Sequence, residues 1–218
     1  MRTAFLLLSA CLLWLPAQAA EQARVDTSMG TIVVALDAEK APASVANFVR
    51  YAKEGHFNGT LFYRVVSGYV LQAGSYGADH VWRPTHKAIP LESANGLHNV
   101  KGAVAMARED APASATAEFF IDLDDVNVAL DPKPADAPNT TGYAVFGKVV
   151  EGMDVVDAIA AVPVGGNDKA PFPGKEPLTP VVIKKVTIVT VPDPVPVPVT
   201  APAPVAAPAP APAPAPAQ

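Results

Sequence analysis

The chain has 218 residues, of which 16 are basic and 21 acidic, so its formal net charge is −5. Lys and Arg are scattered, and without a basic stripe to release counterions from a phosphate backbone, nucleic acid is not an expected partner. The four histidines do not have metal-ligand spacing, and the one cysteine, Cys11, lies in the first apolar run. Neither a metal site nor a disulfide is therefore expected.

Residues 1–19 have the pattern of a signal peptide. Arg2 precedes an apolar run of about a dozen residues, and Ala17-Gln18-Ala19 has the small-x-small pattern that favours cleavage after Ala19. The run is shorter than the ~20 residues that a membrane span needs, so an exported protein without a membrane span is predicted. A lipobox-like sequence ending at Cys11 leaves a lipid anchor as the lower-ranked alternative.

Residues 192–218 are almost entirely Val, Pro, Thr and Ala. Proline lacks the backbone donor and restricts the residue before it, so this tail is predicted to be extended in polyproline II conformation. What remains, residues 20–191, is long enough to form one domain with its own core.

The pattern within 20–191 predicts mostly short strands. Two β-type runs flank Met29-Gly30 and predict a hairpin, and Pro42 opens a helix that Gly55 should end. A second helix is predicted at 155–160, and further strands are predicted at 61–66, 70–73, 102–107, 119–123, 143–150 and 180–191. Many short strands with two helices favour a closed antiparallel barrel, because closure removes the sheet edges.

Two polar residues stand out in the run 62–74. Arg64 and Gln72 lie among apolar and aromatic residues on two consecutive strand-like segments. Strict alternation would put Phe62 and Arg64 on one face and Tyr63 on the other. From the residues alone, Arg64 is either an ordinary surface arginine or part of a lined pocket. The acidic cluster of Asp122, Asp124 and Asp125 is interpreted as a solvated strand end.

The run FYRVVSGYVLQAG at 62–74 resembles the FHRxxxGFxxQGG signature of cyclophilins. Three further blocks resemble cyclophilin segments in the family's order: GAVAMAR at 102–108, AEFFI at 117–121 and GYAVFGKVVEGMDVV at 142–156. The chain is similar in particular to the periplasmic cyclophilins of Gram-negative bacteria, through Tyr143 and the segment Asn95-Gly96-Leu97.

This resemblance implies a mainly β fold, a closed eight-stranded antiparallel barrel capped by two α-helices, with a substrate groove on its outside. It implies a monomeric peptidyl-prolyl cis/trans isomerase that assists unfolded or folding polypeptides with X-Pro bonds in the periplasm and needs no metal or cofactor. Arg64 would be the catalytic residue. The residues that it assigns to substrate binding are Tyr69, Val70, Gln72, Ala107, Arg108, Glu118, Phe120, Leu130 and Tyr143.

Their implied roles differ along the groove. Phe120, Val70 and Leu130, with Tyr69 beside them, would line a proline pocket, and Tyr143 would close one rim. Gln72 would bind the substrate carbonyl and help to orient Arg64, while the backbone at Ala107 and Arg108 would pair with the extended peptide.

Some positions depart from the family pattern. Glu118 stands where most cyclophilins have glutamine, and it would either pair with Arg64 or favour basic substrates. Ala129 stands where family members carry Trp or Phe, so a shallower groove and weak cyclosporin binding are expected. The loop 132–141 is longer than usual and is placed to cover the groove.

Two other functions are left open by the sequence. The altered groove could make the domain a proline-peptide binding module or chaperone with little turnover. Alternatively, the tail could make the protein an envelope scaffold in which the barrel is incidental.

Overall fold

A computed structural model describes residues 20–134, 140–165 and 171–191 of the protein. The predicted signal peptide and tail lie outside the described residues. The strands are β1 (Ala20–Thr27), β2 (Thr31–Leu36), β3 (Thr60–Val66), β4 (Val70–Gly77), β5 (Ala103–Met106), β6 (Phe119–Asp122), β7 (Val145–Glu151), β8 (Val164–Gly165), β9 (Glu176–Pro177) and β10 (Val182–Val191).

Eight of these strands close into an antiparallel barrel in the order β1-β10-β3-β4-β6-β5-β7-β2, while β8 and β9 pair separately. The fold predicted from the sequence is therefore confirmed. Two α-helices accompany the barrel, α1 (Pro42–Lys53) and α2 (Met153–Ala160), and a 3-10 helix (Asp125–Leu130) follows β6. No helix in the described part of the chain is long and apolar enough to cross a membrane.

Helix α1 begins and ends as its sequence predicts. Pro42 occupies the first turn, where its missing N–H costs no hydrogen bond, and Gly55 has a φ of 73° just beyond the C-terminal residues. Its buried residues include Val45, Phe48 and Val49, which pack against the barrel core.

Aromatic rings fill the core between α1 and the barrel. The ring centroid of Phe48 lies 5.0 Å from that of Phe57, 5.4 Å from that of Phe119 and 5.2 Å from that of Phe146. Such contacts contribute beyond the apolar area that they bury. Phe119 belongs to this core, whereas its neighbour Phe120 belongs to a second, smaller cluster.

The predicted alternation along β3 is wrong at one point. Phe62 pairs with Ala73 and Arg64 pairs with Gln72, with a register shift between the two pairs. This irregularity places one extra residue, Tyr63, on β3, so the alternation of faces is broken. Phe62 lies in the core, while Tyr63 and Arg64 both hydrogen-bond Gln72.

The predicted solvated strand end is wrong for its first member. Asp122 is fully buried and accepts a hydrogen bond from Nδ2 of Asn127. Asp124 instead caps the 3-10 helix, its Oδ1 lying 3.0 Å from the backbone N of Val126, and Asp125 is exposed. The 3-10 turn after β6 folds back over Asp122, which local pattern does not reveal.

Candidate active site

A continuous row of paired residues crosses five strands of the barrel. Arg64 on β3 pairs with Gln72 on β4, Gln72 with Phe120 on β6, and Phe120 with Ala105 on β5, which pairs with Val145 on β7. Residues directly opposite each other on antiparallel strands present their side chains on the same face. The row therefore runs from a cation through an amide to an apolar surface.

At its polar end, the guanidinium of Arg64 is held from two sides. Its Nη1 donates to Oε1 of Gln72 over 3.0 Å, and its central carbon lies 4.9 Å from the ring centroid of Phe172. A cation over an aromatic face is stabilised by the ring quadrupole. Because a guanidinium has five N–H donors, donors remain available for a ligand.

The apolar end is a cluster separate from the main core. Val70, Ala103, Ala105, Phe120 and Val145 are its buried members. The partly buried residues packed against it are Tyr69, Leu97, Ala107, Leu130 and Tyr143. The structure thus brings together the five residues that the sequence analysis placed around a proline pocket, namely Tyr69, Val70, Phe120, Leu130 and Tyr143.

One rim of this cluster is built by Tyr143 and Arg108. The Tyr143 ring meets Phe120 edge-on at 5.5 Å, and the Arg108 guanidinium lies 4.8 Å from the Tyr143 ring centroid. Arg108 also donates from Nε to the Gly142 carbonyl over 2.9 Å and from Nη2 to Oγ1 of Thr141 over 2.8 Å. The end of the loop 132–141 is therefore attached to the rim; residues 135–139 lie outside the described residues.

The backbone beside this rim is only partly free. The N–H of Ala107 donates to the Glu118 carbonyl over 2.9 Å, so it is not available to a peptide. The backbone groups of Arg108 enter none of the backbone hydrogen bonds in the described part of the chain.

Behind the row lies a buried carboxyl group. Glu118 is only 7% exposed, and the hydroxyl of Tyr63 donates to its Oε2. Burial raises the pKa of Glu118 to about 7, although the hydrogen bond from Tyr63 favours the ionised form. Glu118 and Arg64 form no ion pair among the described residues, but hydrogen bonds link Glu118 to Tyr63, Tyr63 to Gln72 and Gln72 to Arg64.

The model of the cyclophilin-type peptidyl-prolyl cis-trans isomerase family matches residues 22–188. The chain belongs to this family. It is 43% identical to the isomerase cyp18 of Streptomyces antibioticus over 167 residues, which cover 76% of the chain and 96% of the relative. It is 42% identical to isomerase A of Dickeya dadantii over 163 residues, which cover 75% of the chain and 82% of that relative.

A third cyclophilin relative, isomerase B of Escherichia coli, is 41% identical over 162 residues, which cover 74% of the chain and 96% of the relative. A crystal structure of a cyclophilin-type isomerase from Cryptosporidium parvum matches with a TM-score of 0.64 and 19% identity, covering 79% of this chain and 99% of that one. The structural match supports the fold alone. The predicted family and isomerase activity are confirmed by the sequence relatives.

Of the cavities on the outside of the described part of this cyclophilin barrel, two lie near the paired row. One of about 680 Å³ is lined by residues that include Tyr63, Gln72, Arg108, Glu118 and Phe172. The other, of about 1070 Å³, lies over β2, β5 and β7, and neither Arg64 nor Gln72 lines it. The cyclophilin site is therefore located by its chemistry and not by the size of its cavity.

Sequence reasoning misses two parts of the candidate site. Strict alternation puts Tyr63 on the opposite face, and the only signal for its role is that it stands where the family signature has histidine. Phe172 comes from a distant segment, so nothing near Arg64 in the sequence points to it. Within the described ranges, no group of His, Cys, Asp or Glu is arranged to hold a metal ion.

Proposed function

We propose that Arg64 catalyses the isomerisation of X-Pro bonds by stabilising the twisted amide. Resonance gives the planar C–N bond double-bond character and a barrier of ~18–20 kcal/mol. When the bond is twisted, resonance is lost and the prolyl nitrogen becomes a hydrogen-bond acceptor. A guanidinium placed there favours the twisted state over both planar isomers, which is catalysis by differential binding.

The observation that carries this proposal is the row in which Gln72 stands between Arg64 and Phe120. A proline ring on the cluster around Phe120, Val70, Leu130 and Tyr69 would be held still while the other side of its amide rotates. The next peptide carbonyl would then reach Gln72. Tyr143 would close the rim, and the free backbone of Arg108 would pair with the extended substrate.

The test is isomerisation of an Ala-Pro-Phe peptide by Arg64→Ala. We expect kcat/KM to fall by about 10²–10³, as on removal of an oxyanion-hole donor. Arg24→Ala is the matched control, because Arg24 is an exposed arginine on β1 and outside the row. An Arg64→Ala protein that is folded by circular dichroism and fully active would disprove the assigned role.

We infer further that the enzyme acts on exported polypeptides in the periplasm. The support is the signal-like pattern of residues 1–19, with its small-x-small sequence ending at Ala19. The mature protein should be recovered in the periplasmic fraction with Ala20 at its N-terminus. A cytoplasmic protein that retains Met1, or a lipid-modified Cys11, would contradict this inference.

A further inference from the structure

Four side chains form a single hydrogen-bonded chain from the interior to the catalytic cation. Nη1 of Arg64 donates to Oε1 of Gln72, Nε2 of Gln72 donates to the Tyr63 hydroxyl over 2.6 Å, and that hydroxyl donates to Oε2 of Glu118. Gln72, Tyr63 and Glu118 are all buried, and buried polar groups of this kind are normally hydrogen-bonded.

The direction of every bond in this chain is set by its two ends. A guanidinium has only donors, so Gln72 must present its oxygen to Arg64. An ionised carboxylate has only acceptors, so Tyr63 must donate to Glu118 and its oxygen is left to accept from Gln72. Both ends therefore select the same orientation of the Gln72 amide.

We propose that Glu118 is a positioning residue: acting through Tyr63, it holds the Gln72 amide with its oxygen towards Arg64 and thereby fixes the guanidinium for the reaction. This inference rests on the proposed role of Arg64. Glu118 forms no ion pair with Arg64 among the described residues, and the proposed role is an indirect one that differs from the expected preference for basic substrates.

Space for this carboxyl group depends on a glycine. A Cβ placed on Gly74 would lie 2.6 Å from the Cα, Cδ and Oε1 atoms of Glu118. The second oxygen, Oε1, is buried and has no hydrogen-bond partner among the described residues. Glu118 therefore has one oxygen, Oε2, that is bound by Tyr63, and a second, Oε1, that packs against Gly74. Ser75 also lies close enough to the carboxyl group to favour its ionised form.

Protonation of Glu118 would weaken the orientation. The protonated carboxyl group can donate as well as accept, so Tyr63 is no longer compelled to donate to it and the Gln72 amide is free to turn. The pKa of Glu118 is raised to about 7 by burial, so this change falls within an accessible pH range. The hydrogen bonds from Glu118 to Arg64 are therefore ordered above that pH and loosened below it.

The other titratable or charged groups that contact Glu118 or line the same cavity are Tyr63, Tyr76, Arg108 and Glu109. Burial raises the pKa values of Tyr63 and Tyr76 above that of a free tyrosine, so both remain protonated through the neutral range. Arg108 stays charged, and Glu109 is exposed.

The test measures kcat/KM between pH 5.5 and 8.5 by protease-free NMR exchange on an Ala-Pro-Phe peptide. For the wild type we expect kcat/KM to fall by about 2–10-fold towards low pH, which is the factor that one net hydrogen bond supplies. The midpoint of this fall should lie near pH 7. Glu118→Gln retains the side-chain volume but cannot titrate, so its profile should lack this inflection.

Tyr63→Phe removes the hydroxyl group in the middle of the hydrogen-bonded chain of side chains. We expect kcat to fall by about 2–10-fold with little change in KM, and Glu118→Gln should have no further effect when added to Tyr63→Phe. Tyr51→Phe is the matched control: it removes another buried hydroxyl, which accepts from the backbone N of His86 over 2.8 Å, and it should keep wild-type activity and profile.

A second readout does not depend on turnover. The side-chain amide resonances of Gln72 should move with the same midpoint in the wild type and remain still in Glu118→Gln. The inference is overturned if they do not move in the wild type, or if the activity inflection persists in Glu118→Gln. A fully active Arg64→Ala enzyme would instead overturn the proposed function. If Arg64→Ala is inactive but Tyr63→Phe and Glu118→Gln both behave like the wild type, only the positioning role is overturned.

Discussion

Asp122 shows how strongly one buried carboxyl group can couple stability to pH. Its side chain is fully buried at the end of β6, and its Oδ2 has no hydrogen-bond partner in the described part of the chain. Burial, with a smaller contribution from the negative charge of Asp131, raises its pKa to about 8. Asp122 is therefore largely neutral at pH 7, while in the unfolded chain it would be ionised.

This difference has a definite sign. Between the unfolded pKa near 4 and the folded pKa near 8, the native state binds more protons than the unfolded state, so the free energy of unfolding falls as pH rises. Asp122→Asn cannot ionise, and we expect its loss of stability between pH 5 and pH 8 to be smaller than that of the wild type by about 1–3 kcal/mol. Urea unfolding at several pH values measures this.

The control for that experiment is Asp125→Asn, which removes an exposed acid on the neighbouring 3-10 helix. Glu118 contributes a slope of the same sign, so a smaller dependence should remain in Asp122→Asn. Equal slopes in the wild type and Asp122→Asn would show that Asp122 is ionised in the folded protein.

Residues of the site were predictable where one local motif carries them. Arg64 and Gln72 are conspicuous because polar groups on apolar strands are unusual, and the resemblance to cyclophilins supplied the assignment of Phe120 to the groove. The environments of Tyr63 and Glu118 were not predictable. The register shift between β3 and β4 changes the face of Tyr63, and the burial of Glu118 depends on how Gly74 and Tyr63 pack around it.

At the scale of elements, the start of α1 depends on a residue far away in the sequence. The residue before the helix is Ala41, which offers no capping side chain. Glu92 replaces the cap: its carboxylate accepts from the backbone N of Ala43 over 2.9 Å and from the backbone N and the hydroxyl of Ser44 over 2.8 and 2.7 Å. These bonds satisfy free N–H groups of the first turn, and the negative charge complements the helix dipole.

The same contact fixes the long connection between β4 and β5. Glu92 holds one part of it on α1, and the Ser93 hydroxyl donates to the carbonyl of Thr141, the residue that also binds Arg108. The connection therefore links the helix to the rim of the candidate site. A loop with few regular elements is positioned here by side-chain hydrogen bonds, which explains why periodicity predicted no structure in it.

Elements with local periodicity were predicted well, and those made by distant pairing were not. The barrel strands and both α-helices appear close to their expected bounds, because alternation and helical spacing are local properties. The ladder of β8 and β9 is two residues long and depends on the pairing of Val164 with Pro177, so no local pattern marks it. Phe172 lies in the segment before β9 and reaches Arg64 for the same tertiary reason.

At the scale of the molecule, the barrel is closed by its first and last strands. β1 pairs with β10 from Ala20 opposite Val191 to Thr27 opposite Ile183, and β1 also pairs with β2. Because β10 also pairs with β3, the eight-stranded sheet has no free edge. Removal of β10 would expose a row of unpaired N–H and C=O groups along β1.

The limits of the folding unit follow from this closure. We expect a protein of residues 20–191 to keep the melting temperature and kcat/KM of the mature chain, because the last barrel pair is already present in it. A protein of residues 20–183 lacks most of the partners of β1 and the buried side chain of Val186, and it should lose its cooperative thermal transition. A chain ending at residue 205 is the control for shortening as such. If residues 20–191 alone were less active than the mature chain, or differed from it in oligomeric state, the Pro/Ala-rich tail would have to act on the barrel. The groove proposed to bind proline would then be the first surface to test for contact with the tail.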